Sequence, residues 1–357
     1  MSEIIKIKCL TPYEELGMFD VMWSLTTWCN YKCSYCFQQP HTNFMKPINE
    51  ILYEASRINE IILDYKKTNV RLSLLGGEIT YYDLIKVLEK FTCNLTRVVL
   101  VTNFSQRFEY FTRLYEYCKN RNIHLQLMCS YHEVGDEFFE KYIKLVKWCL
   151  DNDQPFPYVS FVLDNDFDFT IFERFKDLPH SLTHFNVKQS VNNSCLFPLN
   201  EETKLKWKNI VDDKFKWSNN RLIKPFLERR KENAKSIWWL TDERGYEVTY
   251  NNNDKRFLHN LKEVMMENPS ILNGPVRYCT AINRNLFIEE DGNLYSCSTN
   301  VLTPLGNIKN YKTKNYHTIN DFTCEVKNCA LCHEVNIYKN LKDLLTDENN
   351  LNLKEDN

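Results

Sequence analysis

The residues most open to a chemical reading are cysteines. Of the fourteen in the chain, Cys29, Cys33 and Cys36 fall in one short stretch, Trp28-Cys29-Asn30-Tyr31-Lys32-Cys33-Ser34-Tyr35-Cys36-Phe37. Cys279, Cys297, Cys329 and Cys332 gather in a second region, while Cys9, Cys93, Cys118, Cys129, Cys149, Cys195 and Cys324 are scattered singly, as small buried hydrophobes usually are. A cubane iron–sulfur cluster needs thiolates converging on one small object, so closely spaced loop cysteines make good ligands. Three thiolates leave one iron without a protein ligand, and an open position lets a metal centre bind a small molecule directly. The alternatives are a zinc site or a lone Cys-x2-Cys redox pair for the first set, and a four-cysteine structural zinc site for the second.

A second motif is Gly76-Gly77-Glu78. With only eight glycines in the chain, an adjacent pair at a strand end marks a backbone that is tightly turned or closely approached. In the C-terminal region, Asp291-Gly292 between apolar runs at 286–289 and 293–297 predicts a hairpin that brings Cys297 back toward Cys279. Leu305-Gly306-Asn307 and Cys329-Ala330-Leu331-Cys332 follow.

These residues need a scaffold, and the pattern predicts one. Strand-like runs at 18–26, 70–76, 97–103, 123–130, 158–163 and 183–191 alternate with helical patterns at 48–65, 82–91, 106–121, 136–150 and 169–177. That alternation demands a parallel sheet with right-handed crossovers. Six such strands suit a partial (β/α)6 barrel of TIM-like form, with chemistry at the strands' C-terminal ends, although a doubly wound open sheet gives much the same pattern. The cysteine triad follows the first strand and Gly76-Gly77-Glu78 ends the second.

Cys-x3-Cys-x2-Cys with an aromatic residue after it resembles the signature of the radical S-adenosylmethionine (SAM) superfamily, and Gly76-Gly77-Glu78 resembles that family's SAM-contacting motif. The resemblance implies a 4Fe–4S cluster on Cys29, Cys33 and Cys36 whose open iron binds SAM. It implies reductive cleavage of SAM to a 5′-deoxyadenosyl radical that abstracts hydrogen from a substrate C–H bond. It also implies SAM contacts from Gly76, Gly77 and Glu78, from Asn103 in Thr102-Asn103, from Ser130 at the ribose, and from Phe37 beside adenine. The fifth strand, followed by Asp164-Asn165-Asp166, lacks the Gly-rich adenine motif of some members.

The C-terminal region resembles the SPASM and twitch auxiliary-cluster modules of the same superfamily. A full SPASM domain supplies seven cysteines for two clusters, whereas five occur here from Cys279 onward. The shorter twitch form is therefore implied, with a second 4Fe–4S cluster on Cys279, Cys297, Cys329 and Cys332. Cys324 is left over: a replacement ligand, an aid to a second partial cluster, or an unligated thiol. Cys195, just past the sixth strand, is a candidate for a hydrogen-atom donor, since some epimerising members use a cysteine thiol.

The expected organisation is a radical SAM barrel at 1–199, a connecting basic, Trp-containing segment at 200–274, the twitch-like module at 275–338 and a polar tail at 339–357. Within the connection, 201–216 reads as a helix, and 204–235 carries eleven Lys or Arg against four Asp or Glu. Such a stretch suits an acidic substrate or a solvated helix with snorkelling lysines. The net charge of −2 argues against wholesale nucleic-acid or membrane binding, and no run approaches the ~18 apolar residues of a membrane helix. No charged-then-apolar signal opens the chain, and a cytoplasmic location is expected.

The expected function is radical SAM chemistry leading to oxidation, epimerisation or cross-linking, an oxidoreductase or isomerase reaction. A ribosomal peptide is the first expectation for substrate, and a small carbohydrate-type metabolite the second. The expected electron donor is a low-potential flavodoxin or ferredoxin. A non-catalytic cysteine–metal or electron-transfer protein is the rival from another class.

Overall fold

After an N-terminal strand, β1 (Ile4–Cys9), the alternating pattern becomes six strands: β2 (Met18–Ser24), β3 (Asn69–Leu75), β4 (Leu95–Thr102), β5 (His124–Ser130), β6 (Tyr158–Leu163) and β7 (Thr183–Val187). Between them lie α1 (Ile48–Asp64), α2 (Leu84–Leu88), α3 (Phe108–Asn120) and α4 (Asp136–Asp151). The computed structural model describes residues 3–9, 18–33, 36, 44–67, 69–132, 136–163, 165–175, 183–187, 200–203, 205–206, 246–258, 277–279, 285–297, 304–312, 317–318, 323–324, 337–339, 342 and 353–354. The helical pattern at 169–177 is a 3-10 helix, Phe169–Phe175, whose first turn the Asp168 carboxylate caps by accepting from the Thr170 N–H at 2.9 Å. The helix expected at 201–216 begins at 201, where Asn200 Oδ1 accepts from the Thr203 N–H at 2.7 Å. Its continuation past 206, with the basic, Trp-containing residues up to 245, lies outside the described residues.

Strands β2 to β7 are parallel and stand side by side in sequence order. A doubly wound sheet reverses its order at a switch point; this order runs through without one. Alternate side chains point to opposite faces of a strand. One face presents Phe19, Val21 and Trp23, then Leu72, Leu74, Leu100 and Leu127, all buried against apolar residues of the helices. On α1 those residues are Ile51, Ala55, Ile58 and Ile62, spaced so that one stripe meets the sheet. Burying each of the isoleucine chains is worth roughly 1.5–3 kcal/mol.

The other face is unusual for a parallel sheet, whose strands are commonly apolar on both sides. Asp20, Arg71, Arg97 and His124 occupy successive positions in one row across β2, β3, β4 and β5. Asp20 and Arg71 form a buried ion pair, with Arg71 Nε donating to Asp20 Oδ1 at 2.9 Å. Such a pair holds only because both charges are matched within the sheet.

The remaining strands are β8 (Tyr246–Tyr250), β9 (Lys255–Leu258), β10 (Arg277–Cys279), β11 (Asn285–Ile288), β12 (Asn293–Tyr295), β13 (Gly306–Asn307), β14 (His317–Thr318), β15 (Thr323–Cys324), β16 (Ile337–Tyr338) and β17 (Leu353–Lys354). They do two things that local sequence did not announce. First, β11 pairs in parallel with β2, from Asn285↔Asp20 to Ile288↔Trp23, so β11, β12 and β13 extend the large sheet. Second, β1 is central to a separate sheet ordered β15-β10-β16-β1-β8-β9, made from distant parts of the chain. In the stretch expected to be a polar tail, β17 pairs with β14.

The predicted hairpin is β11–β12, with Phe287 opposite Tyr295. At its turn Gly292 has φ +84°, a left-handed conformation that glycine accepts without strain. Side chains then fasten this region to α1. Lys46 lies against Glu54 at 3.0 Å and also donates to the Glu290 carbonyl at 2.5 Å. Arg57 donates to the Tyr311 carbonyl at 3.1 Å, and the Tyr65 and Tyr311 hydroxyls meet at 3.0 Å. Burial pushes the Glu54 carboxyl up and Lys46 opposes that rise.

Removing one partner from a buried ion pair leaves a charge without compensation, at about 3–5 kcal/mol. Lys46→Met is therefore expected to destabilise the protein by about that amount in urea unfolding at neutral pH. The loss should shrink as pH falls, because protonated Glu54 needs no cationic partner, and Lys46→Met/Glu54→Leu should recover most of it. Equal stability of wild type and Lys46→Met would contradict this role.

Candidate functional site

The C-terminal ends of β2, β3, β4 and β5 meet at one place, and the first cysteine set lies there. The chain leaves β2 as an extended segment through Thr26 to Trp28 and Cys29. The turn after β3 is bonded onto that segment: the Gly77 N–H donates to the Thr26 carbonyl at 2.7 Å, and the Glu78 N–H to the Trp28 carbonyl at 2.8 Å. The closeness explains the glycine pair. A Cβ on Gly77 would lie 2.0 Å from the Trp28 carbonyl oxygen, and one on Gly76 would lie 2.6 Å from that of Thr26, with Gly76 at φ +151°. No larger residue fits either position without moving the cysteine loop.

Glu78 is fully buried. Its Oε1 accepts from the Thr80 N–H at 3.0 Å, from the Thr80 hydroxyl, and from the Thr102 hydroxyl at 2.7 Å; its Oε2 accepts from the Asn103 N–H at 2.6 Å. A buried carboxylate is tolerable only when bonded in this way. Burial still holds the Glu78 carboxyl above its ordinary range, while the Thr80, Thr102 and Asn103 donors pull it down. The same carboxylate thus ties the end of β3 to the end of β4.

Asn103 continues the connection into the cysteine loop. Its Nδ2 donates to Asn30 Oδ1 at 2.7 Å and approaches Cys29 Sγ at 3.6 Å, while its Oδ1 accepts from the Ser105 N–H at 3.0 Å. The Tyr31 N–H also donates to Cys29 Sγ, at 3.3 Å. Burial pushes the Cys29 thiol up, opposed by the Tyr31 and Asn103 donors. A metal that takes up this sulfur must therefore draw off its proton.

His132 was not singled out by sequence. It lies two residues beyond β5, with Nδ1 3.4 Å from Cys33 Sγ and its ring edge-on to Tyr31 at a centroid separation of 5.6 Å. Burial lowers His132 to about 4, so the ring is neutral near pH 7 and carries a single N–H. The one available signal was its place just past the strand that ends in Ser130. Cys36 stays with the loop, its N–H donating to the Cys33 carbonyl at 3.1 Å.

The structure thus links Cys29, Asn103 and Glu78 by direct contacts, bonds Gly77 to Thr26 of the segment leading to Cys29, and sets Cys33 against His132, with Cys36 and Gly76 next to them in the chain. Ser130, at the end of β5 and in register with Ser160 of β6, lies two residues before His132. Phe37, Cys195, Cys329 and Cys332 lie outside the described residues. Of the second set, Cys279 ends β10 and Cys297 is buried two residues past β12. Cys324 enters through its backbone, which pairs with Arg277 two residues before Cys279. Among the described residues no three His, Cys, Asp or Glu side chains are grouped closely enough to close on one metal ion. The Cys29 sulfur is instead met by the Tyr31 and Asn103 N–H groups, of the kind that bond thiolates in iron–sulfur proteins. A cubane, larger than a single ion, fits this loop of three partly exposed thiols. Among the described residues no helix is long and apolar enough to cross a membrane.

The tight Gly77–Trp28 approach yields a test that involves no metal. Gly77→Ala must displace the Thr26–Cys29 segment, at about 1–3 kcal/mol for the overpacking. A lowered denaturation midpoint and faster alkylation of Cys29 are expected in the apo-protein. Unchanged values for both would mean that the segment is not held as described.

No family model matches the sequence, and no curated protein matches it. Solved structures do match. The fold is similar to that of native anSMEcpe with bound AdoMet and the Kp18Cys peptide, at 16% identity and a TM-score of 0.50 over 82% of this chain and 78% of that one. SuiB of Streptococcus suis matches at 14% identity, with a TM-score of 0.37 over 82% of this chain and 63% of that one. BtrN in complex with AdoMet and 2-DOIA matches at 11% identity, with a TM-score of 0.33 over 82% and 78%. The likeness rests on anSMEcpe, a SPASM-domain radical SAM enzyme, and with six parallel strands in order and a glycine turn against a cysteine loop, the chain has the radical SAM fold.

Proposed function

We propose that this chain is a radical SAM enzyme of the superfamily whose fold it has. The observation that carries the reading is the direct pairing of Gly77 and Glu78 with the segment that ends in Cys29. The two motifs, nearly fifty residues apart in sequence, belong to one constellation. Neither a zinc site nor an electron carrier calls for that second motif beside its cysteines.

In this reading β2 to β7 form a partial (β/α)6 barrel, and Cys29, Cys33 and Cys36 hold a 4Fe–4S cluster. Gly76, Gly77, Glu78, Asn103, Ser130 and Phe37 form the surroundings of SAM. Together the cluster and SAM supply one-electron cleavage of SAM, giving a 5′-deoxyadenosyl radical that takes hydrogen from a substrate C–H bond. The chain's own contribution is position and electrostatics. Glu78 puts a buried carboxylate at the root of the cysteine loop, suited to a cationic amino group nearby. Asn103 bridges that carboxylate and the Cys29 sulfur through its backbone and side chain.

The 275–338 region is proposed as a twitch-like module holding a second 4Fe–4S cluster on Cys279, Cys297, Cys329 and Cys332, with Cys324 in reserve. The barrel spans 1–199, the connecting segment 200–274 and the tail 339–357. A peptide is the proposed substrate: auxiliary-cluster modules of this type often accompany peptide modification, and anSMEcpe was solved with a peptide bound. Oxidation, epimerisation or cross-linking is the proposed outcome, with a low-potential flavodoxin or ferredoxin as donor in a reducing cytoplasm. A small carbohydrate-type substrate is the second reading, and Cys195 the proposed hydrogen-atom donor if the product is an epimer.

The test is anaerobic reconstitution of wild type and Cys29→Ala/Cys33→Ala/Cys36→Ala, followed by reduction with SAM present. Wild type should hold about eight irons and the variant about four, on the two-cubane expectation. Only wild type should release 5′-deoxyadenosine. Zinc in place of iron, or intact SAM in both samples, would overturn the assignment.

A further inference from the structure

Cys33 and Cys29 are each approached by a side-chain nitrogen from a different strand end. Asn103, after β4, reaches Cys29 Sγ, and His132, after β5, places Nδ1 3.4 Å from Cys33 Sγ. The second approach is long-range in sequence, ninety-nine residues apart, and belongs to no motif. The imidazole is constrained as well as close. It is mostly buried, and its ring meets Tyr31, the residue midway between Cys29 and Cys33, edge-on at 5.6 Å. The ring is thus held against the loop rather than projecting from it.

We propose that His132 is a positioning residue for the three-cysteine site, donating its Nδ1–H to Cys33 Sγ and so raising the reduction potential of the cluster held there. The proposal rests on the functional reading above. Reduction adds negative charge to a cluster, and a hydrogen bond to a ligating sulfur stabilises the more negative form. Losing the donor makes reduction harder and leaves the cysteine ligands in place. Since SAM cleavage starts with an electron from the reduced cluster, His132 would help to set how strong a donor the protein needs.

The experiment is an EPR-monitored redox titration of anaerobically reconstituted wild type, His132→Phe and His132→Asn, read on the signal that responds to added SAM. Phe keeps a ring but has no donor. Asn can place an N–H near the position of Nδ1. The expected result is a potential lowered in His132→Phe by about tenfold in the reduction equilibrium constant, about 59 mV for one electron, and restored in His132→Asn. If His132→Phe holds no iron, His132→Gln, whose amide reaches past the Nδ1 position, replaces it and should also show the lowered potential. Equal potentials in the donor-bearing and donor-lacking variants would overturn the proposal while leaving the functional reading intact. Absence of any SAM-responsive signal in wild type would overturn both.

Discussion

The backbone pairing of residues 26–28 with Gly77 and Glu78 is the constraint on which the rest of the site depends. It brings two loops to within a carbonyl's width, which only a side-chain-free residue at 77 permits. It also buries the Glu78 carboxylate, and a buried carboxylate must find donors. Those donors come from Thr80 on its own turn and from Thr102 and Asn103 at the end of β4. Asn103, fixed through its backbone, then directs its side chain to Asn30 and Cys29. One close approach thus propagates through a carboxylate and an amide to a sulfur, crossing three neighbouring strands.

The C-terminal hairpin enters the same construction from the other side. Strand β2 leads into the cysteine loop, and without a partner beyond it the sheet would end there with exposed backbone groups. β11 occupies that edge in parallel register, and Lys46, Arg57 and Tyr65 fasten the following turns to α1. The hairpin that leads to Cys297 is therefore joined to the strand that leads to Cys29.

Much of this was legible in the sequence. The strand runs at 70–76, 123–130 and 158–163 match β3, β5 and β6 to within a residue or so, because apolar runs between amphipathic helices have few ways to fold. The Asp291-Gly292 turn was legible for a local reason, its left-handed glycine. The sequence also marked Gly77 as closely approached, but not by what. β1 and its sheet were missed because its partners, β8 and β16, lie more than two hundred residues away, and strand pairing at that separation leaves no local trace. The β11–β2 pairing was missed for the same reason. His132 escaped because one histidine beyond a strand end has no meaning until the fold brings Cys33 to it.

The proposed cluster, on three cysteines seated by the Gly77–Trp28 approach, has one iron open to SAM. The most direct measurement is the EPR spectrum of the reduced, reconstituted protein with and without SAM. With one iron open, SAM should shift the g-values of one signal, as a ligand at that iron must. A spectrum unchanged by saturating SAM would mean that no iron is open to it, and that the chain is not a radical SAM enzyme.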